Sequence, residues 1–200
     1  MEFFEEELLE PIIRPIRFAK GLKNIGRKNP VILADLGCGP KIRFYNYATM
    51  HNIHFSKYIG IDPLLSDRMM KINRRKNILL IKDPLKNRIP LKNNSVDYIT
   101  GFAFIEHVVN PVEILNDALR VLKPGGKAIF TTPTKKAKGV LEFLSFKLGI
   151  ISKAGVREHK NYFEKKDLMS MVNAKAFSTR YEYFEFGFNS LFVIEKTHGQ

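Results

Sequence analysis

The stretch Ile32-Leu33-Ala34-Asp35-Leu36-Gly37-Cys38-Gly39-Pro40 runs an apolar segment straight into a turn that contains two glycines. The apolar segment reads as a buried strand, and glycines at its exit let a ligand approach backbone that a side chain would block. In open α/β sheets the ligand crevice lies outside the carboxyl ends of the strands, so this turn marks the candidate site. A dinucleotide cofactor of hydride transfer asks for a third glycine at the sixth position counted from Gly37, where Ile42 stands. An acid at the strand's end, Asp35, also suits a cationic cofactor better than a pyrophosphate.

Outward from this stretch, short apolar runs alternate with helical, basic ones. Val31–Leu36, Tyr58–Ile61, Ile78–Ile81, Val96–Thr100 and Ala128–Thr132 read as strands bounded by Gly, Pro, Asn or Asp. Pro111–Leu122 reads as a helix, with proline in its first turn and Lys123-Pro124-Gly125-Gly126 as its stop. This alternation predicts a doubly wound, mostly parallel sheet with helices on both faces. A helix over Lys165–Phe177 then leads to Arg180–Phe186 and Leu191–Lys196, which predict an antiparallel hairpin at the sheet's C-terminal edge. In Phe3–Phe18 the apolar spacing is near the helical period, and Pro11 and Pro15 divide it into two short amphipathic helices. They form a lid on the core or a surface for a membrane or a substrate tail. The expected organisation is one domain over residues 1–200: a helical lid over 1–28, a cofactor-binding core over 30–132, an acceptor-side insert and helix over 133–178, and the hairpin over 179–196.

At 200 residues, with 44% hydrophobic and 26% charged residues, the chain has the composition of one folded globular unit. No run approaches the roughly 20 apolar residues of a membrane-spanning helix, and the glutamate-rich start is unlike a signal peptide, so the expected location is cytoplasmic. One cysteine, Cys38, excludes an internal disulfide and a cysteine-based zinc cluster. The net charge of +13 is uneven: the first ten residues carry five glutamates and no lysine or arginine, leaving 33 basic against 15 acidic residues in the rest. That basic surface leaves nucleic acid open as a partner, beside a small-molecule or carrier-linked one.

Two further acids follow strands. Asp62, in Tyr58-Ile59-Gly60-Ile61-Asp62-Pro63, comes 25 positions after Gly37, where a carboxylate accepts both hydroxyls of a ribose. Asp83 follows Ile78–Ile81, placed to accept from an adenine amino group while Pro84 and Leu85 flank the ring.

These residues, with Ile89-Pro-Leu-Lys-Asn-Asn-Ser-Val-Asp97, Ile105-Glu106-His107-Val108 and Arg120-Val-Leu-Lys-Pro-Gly-Gly126, resemble the successive motifs of the class I S-adenosylmethionine-dependent methyltransferases, in particular their small-molecule, type 11-like branch. The resemblance spans roughly residues 30–132 and implies a Rossmann-like fold with S-adenosylmethionine as cofactor. By it, Gly37 and Gly39 lie against the cofactor's methionine part, Asp62 binds its ribose, Asp83 its adenine end, and Phe102 walls the pocket, with Asp35, Cys38, Pro63, Pro84 and Leu85 completing the expected cofactor-binding set. The family often has a glycine where Lys41 stands here. Leu8–Phe18 is similar to the lead-in of methyltransferases associated with surface-polysaccharide assembly, which implies a sugar or lipid-linked acceptor.

Direct displacement at a sulfonium-activated methyl requires no metal and no covalent nucleophile; alignment and exclusion of water carry the rate. A base is useful when the acceptor is a hydroxyl or an amine. The candidates are His107 and His159, the latter in the insert Lys135–Tyr162 before the terminal hairpin. An RNA methyltransferase is the rival reading, because residues 64–92 hold nine Lys or Arg against Asp67 and Asp83. Against it, Gly101-Phe102-Ala103-Phe104 stands where base-amino methylating enzymes typically carry an Asn- or Asp-Pro-Pro-aromatic run. A non-catalytic S-adenosylmethionine-binding module is the other alternative.

Overall fold

A computed structural model describes residues 10–74, 76–137, 162–172 and 177–197. His159 lies outside the described residues, as do residues 1–9 of the N-terminal segment and 138–161 of the insert.

The elements in chain order are α1 (Glu10–Leu22), β1 (Val31–Leu36), α2 (Arg43–Met50), β2 (Phe55–Ile61), α3 (Asp67–Ile72), β3 (Ile78–Ile81), β4 (Val96–Phe102), α4 (Pro111–Val121), β5 (Leu122–Pro133), α5 (Lys165–Ser170), β6 (Phe177–Phe184) and β7 (Asn189–Lys196). The strands form one sheet in the order β3-β2-β1-β4-β5-β7-β6. The first five run parallel, and β7 inserts antiparallel between β5 and β6. The order reverses between β1 and β4, which opens a crevice at the carboxyl end of β1, directly beneath the Gly37–Gly39 turn.

Alternation along the strands divides the core into two layers. Ala34, Leu36, Ile59, Phe130, Phe192 and Ile194 face α4 and α5 through Ile114, Leu115, Ala118 and Leu168. Leu33, Tyr58, Ile129, Leu191 and Val193 face α1 and α2 through Phe18, Leu22, Phe44 and Ala48. β1 is buried along nearly its whole length, as an interior parallel strand covered by helices on both faces must be.

Several boundaries differ from the sequence expectation. The described part of the N-terminal segment is one helix, not two: α1 runs through Pro15. A proline there forfeits a single backbone hydrogen bond near the helix start, and the buried residues Phe18 and Leu22 keep the helix on the sheet. Lys123-Pro124-Gly125-Gly126 does not separate helix from strand; it falls inside β5, which pairs Leu122 with Val96 and then Lys127 with Tyr98. The tetrapeptide bulges between those pairs, and Gly126 is required because a Cβ there would meet the carbonyl oxygens of Lys123 at 2.8 Å and Asp97 at 2.9 Å. The helix expected over Lys165–Phe177 ends at Ser170, and Phe177 already belongs to β6. The β6–β7 connection is a short 3-10 turn over Glu185–Gly187, one residue-pair earlier than the Gly-Phe-Asn-Ser turn read from the sequence.

Candidate functional site

The turn after β1 holds Gly37 at φ 71° and Gly39 at φ 66°, both in the left-handed region that glycine occupies without strain. A Cβ on Gly37 would sit 2.8 Å from the Phe104 ring, whereas nothing lies within 4 Å of the Cβ position of Gly39. The turn is therefore packed on one side and open on the other. Beyond it, Ile42 also takes a left-handed conformation, at φ 40°. A β-branched residue is strained there, and burial of its side chain in the α1/α2 layer holds it in place. The departure from the family pattern at Lys41 thus coincides with backbone strain one residue on.

Asp35 is buried at the end of β1, where Tyr58 Oη donates to its Oδ2 at 2.6 Å and Thr100 Oγ1 to its Oδ1 at 2.7 Å. Burial outweighs these two hydrogen bonds and pushes its carboxyl up to about 7. Burial likewise drives the Cys38 thiol far above its usual range, so the sulfur is an inert wall. Asp62, buried at the end of β2, accepts from Gly39 N at 2.9 Å and from Leu64 N at 2.8 Å. It fastens the glycine turn to the neighbouring strand. Asp83, half-buried after β3, accepts from Leu85 N at 2.7 Å. Pro63 and Pro84 are exposed, and the Leu85 side chain points into the core layer under α4 rather than outward.

A cavity of about 250 Å³ opens over the turn. Asp35, Gly37, Cys38, Gly39 and Phe102 line it, while Asp62, Pro63, Asp83, Pro84 and Leu85 are not among its lining residues. Its other walls were not singled out in the sequence: Arg14, Arg17 and Phe18 from α1, and Arg43 and Phe44 from α2. Phe102 packs 5.1 Å from Phe18 and 4.6 Å from Phe44, ring centre to ring centre, so the two helices and β4 meet in one aromatic cluster. Arg14, Arg17, Phe18 and Gly21 recur at helical spacing on the buried side of α1, a signal that was present in the sequence. Of the two histidines, His107 is half-buried in a 3-10 turn (Ile105–His107) after β4. Its neighbour Glu106 is fully buried.

A family model described as a methyltransferase domain matches residues 34–130. The chain is 21% identical over 170 residues to a ubiquinone biosynthesis O-methyltransferase of Aliivibrio fischeri, covering 84% of this chain and 73% of the relative. It is 23% identical over 164 residues to the protein of that name in Serratia proteamaculans, covering 80% and 68%. Among solved structures, an S-adenosylmethionine-dependent methyltransferase from Mesorhizobium loti superposes with a TM-score of 0.67 at 16% identity, over 90% of this chain and 98% of that one. A chain from the complex of the Trm112 methyltransferase activator with a methyltransferase of Haloferax volcanii superposes with a TM-score of 0.73 at 13% identity, over 95% and 92%.

Residues 34–130 are a methyltransferase domain, and the chain has the fold of the S-adenosylmethionine-dependent methyltransferases. Its cofactor is therefore S-adenosylmethionine, whose methionine end carries an ammonium and a carboxylate. The cavity of this methyltransferase fits such a zwitterion: Asp35 offers an acceptor for the cation, Arg14, Arg17 and Arg43 offer positive charge for the anion, and the open side of Gly39 leaves room beside the backbone.

Proposed function

We propose that this methyltransferase transfers the methyl group to a small-molecule or carrier-linked acceptor by direct displacement, with the cofactor's methionine end seated in the cavity over Gly37–Gly39. The observation that carries this reading is the pairing of one buried acid, Asp35, with arginines from α1 and α2 around an open glycine turn. S-adenosylmethionine supplies a methyl carbon already activated by the sulfonium. The chain's own residues bind, orient and exclude water. Asp35 receives the ammonium, the arginines receive the carboxylate, and Asp62, its oxygens already accepting from Gly39 and Leu64, keeps lone pairs for a ribose. Phe18, Phe44 and Phe102 exclude water from the sulfonium side. His107 and His159 are the candidate bases for a hydroxyl or amine acceptor, and Asp83 with Pro84 the candidate adenine contacts. The small-molecule class is supported by the ubiquinone biosynthesis O-methyltransferases among the relatives, at low identity.

Two measurements test the reading. Calorimetry with S-adenosylhomocysteine should show binding to the wild type, and Asp62→Ala should weaken it by about 1–3 kcal/mol, the range for a polar group left without its partner. Unchanged affinity would remove Asp62 from the site. Incubation with methyl-labelled cofactor and cell extract split into RNA, protein, lipid and small-molecule fractions should then place the label in the lipid or small-molecule fraction. Label in RNA would overturn the acceptor class and leave the cofactor site standing.

A further inference from the structure

At about 250 Å³ the cavity over the glycine turn is smaller than the roughly 300–1,000 Å³ of pockets that enclose a whole ligand, so an acceptor needs room beyond the space the cofactor's methionine end fills. A second recess, of about 400 Å³, adjoins it between α1 and α2. Pro11, Arg14, Pro15 and Phe18 form its α1 wall, and Arg43, Asn46, Tyr47 and Met50 its α2 wall. Each set recurs at i, i+3, i+4 and i+7, so each is a single helix face turned toward the other. Arg14, Phe18 and Arg43 line the cofactor cavity as well, and the two spaces meet at these residues. The recesses around Asn93 and Arg120 share no lining residue with that cavity. The chemistry of the α1–α2 recess changes along its length. Two half-buried guanidiniums stand where it meets the cavity, and Pro11, Pro15, Tyr47 and Met50 make an apolar strip away from it. The Tyr47 ring lies 5.4 Å from that of Phe18, which carries the apolar floor up to the cavity, and Met50 is 81% exposed at the other end. None of the described residues that line the recess is acidic.

We infer that the α1–α2 recess is the acceptor's binding groove, and that the acceptor is an anionic amphiphile: an apolar ring or chain that carries a carboxylate or a phosphate. The anionic group lies at Arg14 and Arg43, because a guanidinium fork matches the paired oxygens of either group and binds them more strongly than a neutral partner. The apolar part lies along Pro11, Pro15, Tyr47 and Met50, where its burial removes both surfaces from water. The two proline rings add a wall that is already rigid and has no backbone N–H to leave unpaired. Arg17 lines the cavity and not the groove, so the cofactor's own carboxylate keeps a guanidinium there when an acceptor anion occupies the other two. A cationic acceptor is repelled at the same place. Phe18, on the boundary between the two spaces, then separates the acceptor's tail from the methyl donor while letting its reactive end reach past.

This inference rests on the cofactor reading above, and its test separates the two. The full chain, labelled with 13C at the methionine methyls, is saturated with S-adenosylhomocysteine and titrated with decanoate, decyl phosphate or decyltrimethylammonium, the Met50 signal being assigned by its loss in Met50→Leu. Decanoate or decyl phosphate should bind without displacing S-adenosylhomocysteine and should move the Met50 signal; whichever binds more tightly names the anionic group. Decyltrimethylammonium should leave that signal in place. Met50→Leu should keep the affinity for the anion, whereas Met50→Glu should weaken it roughly fivefold or more, through lost apolar contact and added negative charge. Because Met50 is exposed and outside the cofactor cavity, S-adenosylhomocysteine affinity should stay within about twofold in both variants, with circular dichroism confirming that they are folded. In the extract assay the better anion should lower label transfer by the wild type. Displacement of S-adenosylhomocysteine by the anion, an unmoved Met50 signal, or equal binding of the cation would overturn the inference and leave the cofactor reading standing. Failure of S-adenosylhomocysteine itself to bind the wild type would overturn the cofactor reading, and the groove's role as acceptor site with it.

Discussion

At the scale of single residues, Asp35 shows how a site is built at the expense of the fold. Its carboxyl is raised from the ordinary 3.8 to about 7, first by burial and then, more weakly, by the charge of Asp62, against the hydrogen bonds from Tyr58 and Thr100. The folded chain therefore holds a proton to higher pH than the unfolded chain does, and this group's contribution to stability is fully present below 3.8 and lost as pH rises through about 7. Three pH units of displacement correspond to about 4 kcal/mol of conformational stability between the two limits. Urea unfolding of the wild type at pH 5 and pH 8 should show the part of that decline lying above pH 5, about two pH units or roughly 3 kcal/mol, and Asp35→Asn should flatten most of it. An equally steep decline in Asp35→Asn would mean that the acid titrates normally in the fold. A buried carboxylate that favours neutrality is also ready for a cation, which restores its charge without exposing it to water. Asp62 differs: two backbone N–H groups hold it, and it serves geometry as much as charge.

At the scale of elements, α1 decides whether the cavity exists at all, because three of its residues form one wall. Its approach to the sheet is set by Gly21: a Cβ there would lie 2.3 Å from the Phe102 ring. In an exposed helix, glycine to alanine stabilises by roughly 1 kcal/mol through propensity. Overpacking a core typically costs about 1–3 kcal/mol, and here the obstacle is a ring wedged between Phe18 and Phe44, so the steric cost wins. Gly21→Ala should therefore destabilise by about 1–2 kcal/mol in urea unfolding and weaken S-adenosylhomocysteine binding as Phe102 is displaced. A variant more stable than the wild type would show that α1 does not pack this closely. β7 contributes in another way, since Lys196 donates to Asn94 Oδ1 at 2.8 Å and to the carbonyls of Leu119 and Leu122 at 3.0 Å each. That ammonium ties the C-terminal end of β7 to the α4–β5 junction.

At the scale of the whole molecule, the sheet segregates chemistry to the carboxyl ends of β1, β2 and β4 and leaves a strongly basic exterior. No helix among the described residues is long and apolar enough to cross a membrane. The net charge of +13 predicts that RNA binds by phosphate contact, without sequence preference. With six or so such contacts, affinity should fall on the order of 10³-fold between about 50 and 200 mM salt, as measured by filter binding or anisotropy. A salt-insensitive, sequence-selective complex would instead favour an RNA acceptor.

The sequence by itself determined the sheet and the turn. Val31–Pro40 carried a strand with a glycine exit, and the acids after successive strands, the α4 pattern and the C-terminal hairpin all stood in short-range order along the chain. Those features are local: strand, turn and cap are decided within a few residues, so period and composition report them. Only the tertiary structure decided the rest. That α1 continues through Pro15, that Lys123–Gly126 bulges within a strand, and that Leu85 turns inward all depend on what packs against them. The arginine wall joins α1 and α2 across the cavity, and although the spacing within α1 marks its buried face, nothing in either segment encodes that the two meet. Burial, not sequence neighbourhood, also sets the ionisation of Asp35. An aspartate at a strand end reads the same whether water or Tyr58 and Thr100 surround it, and the fold alone supplies the difference.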